Sequence, residues 1–222
     1  MRPDRSRPNG VLTVVGFAFI AALSACGRGD DRRGDDIPPV ANSASPAPAP
    51  PVAPPPPREL TWSGKVDMSL WSPIRVKTYK AALLRETPPT LAILRIPRLN
   101  LEVPVHYGTT DAVLDLAAGL IEETARPGTP GNVGIAAHRD GFFRVLKDIK
   151  EGDALVLDTP VAAEQYRVEW IRITTPDDVS VIDPTPGPAV TLVGCYPFYH
   201  VGSAPKRFIV RAVPVTGPHT GS

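Results

Sequence analysis

Residues 59–215 predict a mainly β domain, an all-β barrel or sandwich, and three features carry that prediction. Short runs rich in Val, Ile, Leu and Thr recur along it, Gly/Pro/Asn clusters separate them, and stretches with helical periodicity are few. The first element is nonetheless helical. Ser72 is a good N-cap for the segment Pro73-Ile74-Arg75-Val76, which continues through Tyr79 and Leu84. Pro73 takes the first helical position, where its missing amide costs nothing, and Trp71 and Val76 have the spacing of a hydrophobic staple. Pro88-Pro89 stops it. From Leu91, LAILRIPRL and LEVPVHYG read as consecutive strands parted by Asn100, with prolines that imply edges or bulges. A short helix is expected over Asp111–Ala118, then a turn cluster at PGTPGN and a strand in GNVGIAAH ending at His138. GFFRVLKDI suits a helical turn or two, and ALVLDTP, EQYRVEWIRITT, AVTLVGC and KRFIVRAVPV are the remaining strands.

The part before this domain has a different composition. Arg2, Arg5 and Arg7 precede the apolar run Val11–Ala25, which is shorter than the ~20 residues a helix needs to cross a bilayer. A basic head, a short apolar stretch and small residues after it fit a secretory leader. Leu23-Ser24-Ala25-Cys26 resembles a bacterial lipobox, which implies cleavage before Cys26 and lipidation of its thiol; the other reading of residues 1–26 is an uncleaved membrane anchor. Either way the remainder is expected outside the cytoplasm. Residues 27–58 are a charged and then Pro/Ala-rich linker. Proline removes amide donors and favours polyproline II, so this segment reads as a semi-rigid spacer reaching ~3.1 Å per residue. Residues 216–222 are expected as a flexible tail. A formal net charge of +1 argues against a nucleic-acid partner.

Of the two cysteines, Cys26 belongs to the leader, so Cys195 has no partner in the domain. In a disulfide-permissive compartment such a cysteine is either a reactive thiol, a site of intermolecular pairing or a small apolar core residue. A nucleophilic thiolate needs a base or a cation nearby. Among the histidines, His219 lies in the tail, His106 sits on a strand with an exposed position open to it, and His200 is close to Cys195 in sequence. His138 ends an apolar strand and opens the loop HRDGFF, a common place for catalytic groups. An oxyanion would need a fixed donor. Alternation puts Arg207, Ile209 and Arg211 on one face of KRFIVRA, opposite Phe208 and Val210, and does not choose between the arginines. Asp140, Asp177 and Asp178 are loop acids of the kind that form solvated turns, so no metal and no cofactor is assigned.

The order TLVGCYPF, then KRFIVRA, with AHRDGFF well before both, resembles the sortase family of cysteine transpeptidases, and most nearly its class D type of Gram-negative bacteria. The likeness runs from about Trp71 to Val213. It implies a closed eight-stranded β-barrel with short helices and an N-terminal helix. It further implies Cys195 as the nucleophile that carries the acyl thioester, His138 as general acid and base, and Arg207, not Arg211, as the group that stabilises the oxyanion or holds substrate. The substrate would be a protein with an LPxTG-like C-terminal sorting signal and the acceptor an amine; with water as acceptor the site would be a slow protease. Two departures stand out: Gly194 replaces a usual threonine and Ala137 a common glycine. Gly194 keeps a second expectation open, a sortase-like barrel that binds peptides or scaffolds a complex without catalysis. The motif of L,D-transpeptidases, another cysteine transpeptidase class, is absent.

Overall fold

Strand pairing in the computed structural model, which describes residues 56–200 and 202–215, closes a barrel. The leader with Cys26, the linker up to residue 55 and the tail 216–222 lie outside the described residues. The eight strands are β1 (Ala92–Ile96), β2 (Leu101–Tyr107), β3 (Ala118–Leu120), β4 (Asn132–Ala136), β5 (Ala154–Asp158), β6 (Ala163–Thr174), β7 (Ala189–Tyr196) and β8 (Lys206–Pro214). Their order around the barrel is β1-β2-β3-β4-β7-β8-β6-β5, closed by β5 on β1. Most pairs are antiparallel; β2–β3 and β4–β7 are parallel. The mainly β expectation and the closed barrel with few short helices are what the structure has.

The interior is aliphatic. Leu94, Ile96, Val103, Leu120, Ile135, Leu155, Leu157, Leu192 and Val210 are fully buried, as alternate strand positions facing a closed core must be. Phe143 and Leu146, from the 3-10 helix Phe142–Asp148, add to that core, so GFFRVLKDI is helical as expected.

Asn100 turns the chain between β1 and β2 in the left-handed region (φ 49°), after a 3-10 turn that begins at Pro97. Pro104 lies inside β2, opposite Ile93, but just before β3 begins to pair at Val105, so its missing amide falls where β2 has an open side. Strand β3 is the element sequence patterning omitted. Its Gly119 admits no side chain, because a Cβ there would stand 2.2 Å from the Gly108 carbonyl oxygen.

Helix α1 (Pro73–Ala82) has the predicted cap: the Ser72 hydroxyl accepts from the Arg75 amide. It ends earlier than expected, at Ala82, because Leu83 and Leu84 find no core to enter and remain exposed. Trp71, Tyr79 and Phe142 interlock edge to face, with ring centroids 4.9–5.8 Å apart, and hold α1 on the barrel. The helix expected over Asp111–Ala118 is the short α2 (Asp111–Leu114), followed by a turn into β3.

Candidate active site

Three adjacent strands build the platform. β4 and β7 run parallel, with Gly134 opposite Thr191 and Ala136 opposite Val193. β7 and β8 run antiparallel, with Thr191 opposite Arg211, Val193 opposite Ile209 and Cys195 opposite Arg207. Because Val190, Leu192 and Val210 point into the core, all of these residues lie on the outer face. That face therefore carries parallel rows: Gly134, Thr191 and Arg211, then Ala136, Val193 and Ile209. Extending the β4–β7 register two residues past Ala136 brings His138 level with Cys195. The third row is then His138, Cys195 and Arg207, with the cysteine in the middle.

Cys195 is a free, half-buried thiol opening on a cleft of about 940 Å³. His138 lines the same cleft, and so do Asp140, Arg139, Arg144 and His200. The wall opposite the barrel comes from α1, through Ser72 and Arg75. His138 is held among charges. Its Nε2 is buried, makes no hydrogen bond, and faces Asp115 Oδ1 at 3.6 Å. Burial, and then the Arg75 guanidinium, push the His138 imidazole below its ordinary value, while Asp140, Asp115 and Asp111 pull the other way. Neutral imidazole therefore predominates near pH 7, the form that can accept a proton from a thiol or an amine. Asp140, expected as a solvated turn acid, instead accepts from Ser72 Oγ at 2.9 Å and from Arg75 Nε at 3.2 Å. Burial alone would raise its carboxyl, but Arg75 and the two hydrogen bonds outweigh burial and hold it below the usual range.

The connection between β7 and β8 forms the other wall. Arg139 Nη2 donates to the carbonyls of His200 (2.9 Å) and Gly202 (2.7 Å). Arg144 donates to the carbonyls of Leu70 (3.1 Å) and Phe198, and its guanidinium lies over the Tyr199 ring. Two guanidinium groups thus fix the loop that follows the cysteine. No periodicity in the sequence signals these roles, because the partners are backbone carbonyls distant in the chain.

Arg207 is half-buried beside Cys195, but it is not among the residues lining the cleft. Its Nη1 reaches only the carbonyls of Ala204 (3.4 Å) and Lys206 (3.2 Å), and Ala204 does line the cleft. Arg211, on the same face, is engaged elsewhere: it donates to the Val181 carbonyl at 2.8 Å and stacks on Trp170. Both departures in the motif point away from the cleft. A Cβ at Gly194 would meet Phe143 and the Phe208 carbonyl oxygen at 3.8 and 3.9 Å, inside the barrel, and Ala137 belongs to the core.

The other histidines sort differently from their sequence positions. His106, for which a strand position allowed exposure, is buried; its Nδ1 lies 3.2 Å from the Pro89 carbonyl and burial lowers its proton affinity. His200 is exposed on the cleft rim with Cys195, closer to the site than its sequence position suggested. Asp178 accepts from Thr174 and Ser180 hydroxyls, as a turn former does. Among the described residues, no group of His, Cys, Asp and Glu side chains is arranged to hold a metal ion.

A thiol, an imidazole and a guanidinium in one row are the parts that acyl transfer uses. Comparison with known proteins agrees with that fold. The sortase domain family matches residues 94–215, a span that begins after α1. Sortase D of Bacillus subtilis (strain 168) is 33% identical over 138 residues, covering 62% of this chain and 70% of that protein. Among solved structures, a Clostridium perfringens Sortase D5 transpeptidase superposes with a TM-score of 0.53 at 26% identity, over 63% of this chain and 88% of that one. Sortase E1 from Streptomyces coelicolor, solved with a tripeptide in its active site, does so with a TM-score of 0.51 at 31% identity, over 59% and 91%. With a family match over more than half its length, on a barrel that sets a lone cysteine level with a histidine, the chain belongs to the sortase family of cysteine transpeptidases.

Proposed function

We propose that this protein cleaves an LPxTG-like C-terminal sorting signal through a thioester on Cys195 and passes the acyl group to an amine. One observation carries the reading: Cys195 pairs with Arg207 across β7 and β8 and shares an open cleft with His138, which lies two residues past the end of β4. Neutral His138 takes the thiol proton as Cys195 Sγ bonds to the substrate carbonyl carbon. The resulting oxyanion draws Arg207, whose two bonds to nearby carbonyls are long and easily exchanged. The C–N bond then breaks, His138 returns its proton to the leaving amine, and the acyl group remains on sulfur. The incoming amine attacks this thioester and gives a proton to His138; the C–S bond breaks and the thiol is re-formed. Water in place of the amine makes the same site a slow thiol hydrolase.

We place the enzyme with the class D type, supported by the Bacillus subtilis Sortase D likeness; the Gram-negative setting extends the sequence resemblance. Its partners are then a substrate protein bearing the signal, an amine donor, and a membrane reached through residues 1–26, either by lipidated Cys26 or by an uncleaved anchor, with the Pro/Ala-rich linker as spacer and residues 59–215 as the catalytic domain on the outer, periplasmic side. The rival reading, a barrel that binds peptide without catalysis, drew on Gly194, and that position faces Phe143 instead of the cleft.

The test is intact-protein mass spectrometry of the chain incubated with a library of LPxTG-like peptides. An adduct with the mass of a truncated peptide, absent from Cys195→Ala, is the expected result. No adduct together with a Cys195 thiol inert to alkylation would overturn the reading in favour of the binding barrel.

A further inference from the structure

The charged groups that surround His138 do not come from the strands of the catalytic row. Asp115 follows α2, Asp140 lies in the His138 loop, and a single guanidinium from α1 bonds both: Arg75 Nη1 meets Asp115 Oδ1, and Arg75 Nε meets Asp140 Oδ1 at 3.2 Å. The cap residue of the same helix, Ser72, adds its hydroxyl to Asp140 Oδ2. Asp115 Oδ1 is thus fixed by a cation on one side and faces the His138 ring on the other, at 3.6 Å from Nε2. The Arg75 and Asp115 side chains are only 17% and 14% exposed, so water screens this triad weakly. Nε2 itself is buried without a hydrogen bond, which is costly unless a partner comes within reach.

We propose that Asp115, held by Arg75, is the positioning residue for His138: it faces Nε2 as the acceptor that keeps the ring proton on that nitrogen, and leaves Nδ1 to exchange protons with the cleft. A neutral imidazole carries one N–H, and a carboxylate facing one nitrogen draws the proton there. A turn of the ring by a few tenths of an ångström closes the gap to Asp115 when the imidazolium forms, so the carboxylate also stabilises that ion. Arg75 acts in two opposed ways, anchoring the carboxylate and repelling the imidazolium. The other groups facing His138 are Asp111 at the start of α2, Asp140 and Arg139 in its own loop, Cys195 from β7, and His200 from the β7–β8 connection. The N-terminal helix, through one residue, thereby adds to burial in setting the proton affinity of the acid and base.

This inference rests on His138 being that acid and base, and the experiment separates the two claims. The full-length chain, labelled on its histidine ring nitrogens and purified in detergent, is titrated by NMR, with the His138 signals assigned by His138→Gln. In wild type the proton of the neutral ring is expected on Nε2. Asp115→Asn is expected to lower the His138 pKa and to spread the proton over both nitrogens, while Arg75→Gln raises the pKa. In the transfer assay Asp115→Asn lowers kcat by about tenfold or more with KM little changed, the mark of a proton-transfer defect and not of lost binding. A merely structural network would not shift the two variants in opposite directions. Shifts of the same sign, or no shift in either, overturn the proposal. Arg75→Gln leaves every carboxylate in place and reads the coupling by itself should Asp115→Asn not fold. The titration needs no substrate: a wild type that forms no peptide adduct defeats the functional reading and still leaves the role of Asp115 to be decided by the ring.

Discussion

Arg207 and Arg211 lie on the same face of the same strand, two periods of the alternation apart, and the molecule treats them oppositely. Arg211 lies under the β6–β7 connection: it donates to the Val181 carbonyl, stacks on Trp170, which Arg172 covers from its own side, and burial lowers its proton affinity. Its row is tied down further by Asn132, whose side chain accepts from Thr191 Oγ1 and donates to the carbonyls of Val181 and Asp183. Arg207 has only neighbouring backbone carbonyls, at longer distance, beside a half-buried thiol. One arginine is used for holding a loop and the other is left available to a ligand. Side-chain type and strand position are the same; what covers them differs.

The contrast can be broken by substitution. Cys195→Ala is expected to abolish acyl transfer, and Arg207→Ala to lower it by about 10²–10³-fold, the usual cost of losing one oxyanion donor, with circular dichroism unchanged. Arg211→Ala is expected to do the reverse: most activity remains, while stability falls by about 1–3 kcal/mol through the lost charged hydrogen bond and the lost stacking, seen as a lower Tm. Activity lost in Arg211→Ala and kept in Arg207→Ala would exchange their roles. Thr191→Val sharpens the comparison, since it strips Asn132 Oδ1 of its hydroxyl donor in a buried place; about 1–3 kcal/mol is expected, with faster amide exchange over 179–183. The smallest effect belongs to Gly194→Ala. Gly194 needs no positive φ and a Cβ fits at ordinary contact distance, so stability should rise by about 0.4–1 kcal/mol with transfer barely altered. A large loss of transfer there would mean that the strand end must flex for turnover.

Alternation and cap chemistry made most of the barrel legible. Ser72-Pro73 announces α1 because capping is local, and LAILRI, ALVLD and TLVGC announce strands because a buried pleated face must be aliphatic. Strand β3 escaped, since Ala118-Gly119-Leu120 carries no strand signal and owes its state to parallel pairing on β2 and the fit of Gly119 against Gly108. His106 escaped too: its exposure depended on the segment at Pro89 that lies over it. Of the site, Cys195 and His138 were visible as a lone thiol and a strand-end imidazole, while the choice of Arg207 came from family resemblance.

What the sequence determined by itself is whatever is decided within a few residues: the helix start, the alternating strands, the proline spacer, and the kinds of chemistry that one unpaired cysteine allows. Tertiary structure alone decided the register that sets His138 level with Cys195, the burial of Arg211 under a loop, and the Arg75–Asp115 clamp on the imidazole. Those depend on segments 30 or more residues apart meeting in space, and a hydrogen bond or ion pair of that range leaves no periodic mark in the chain.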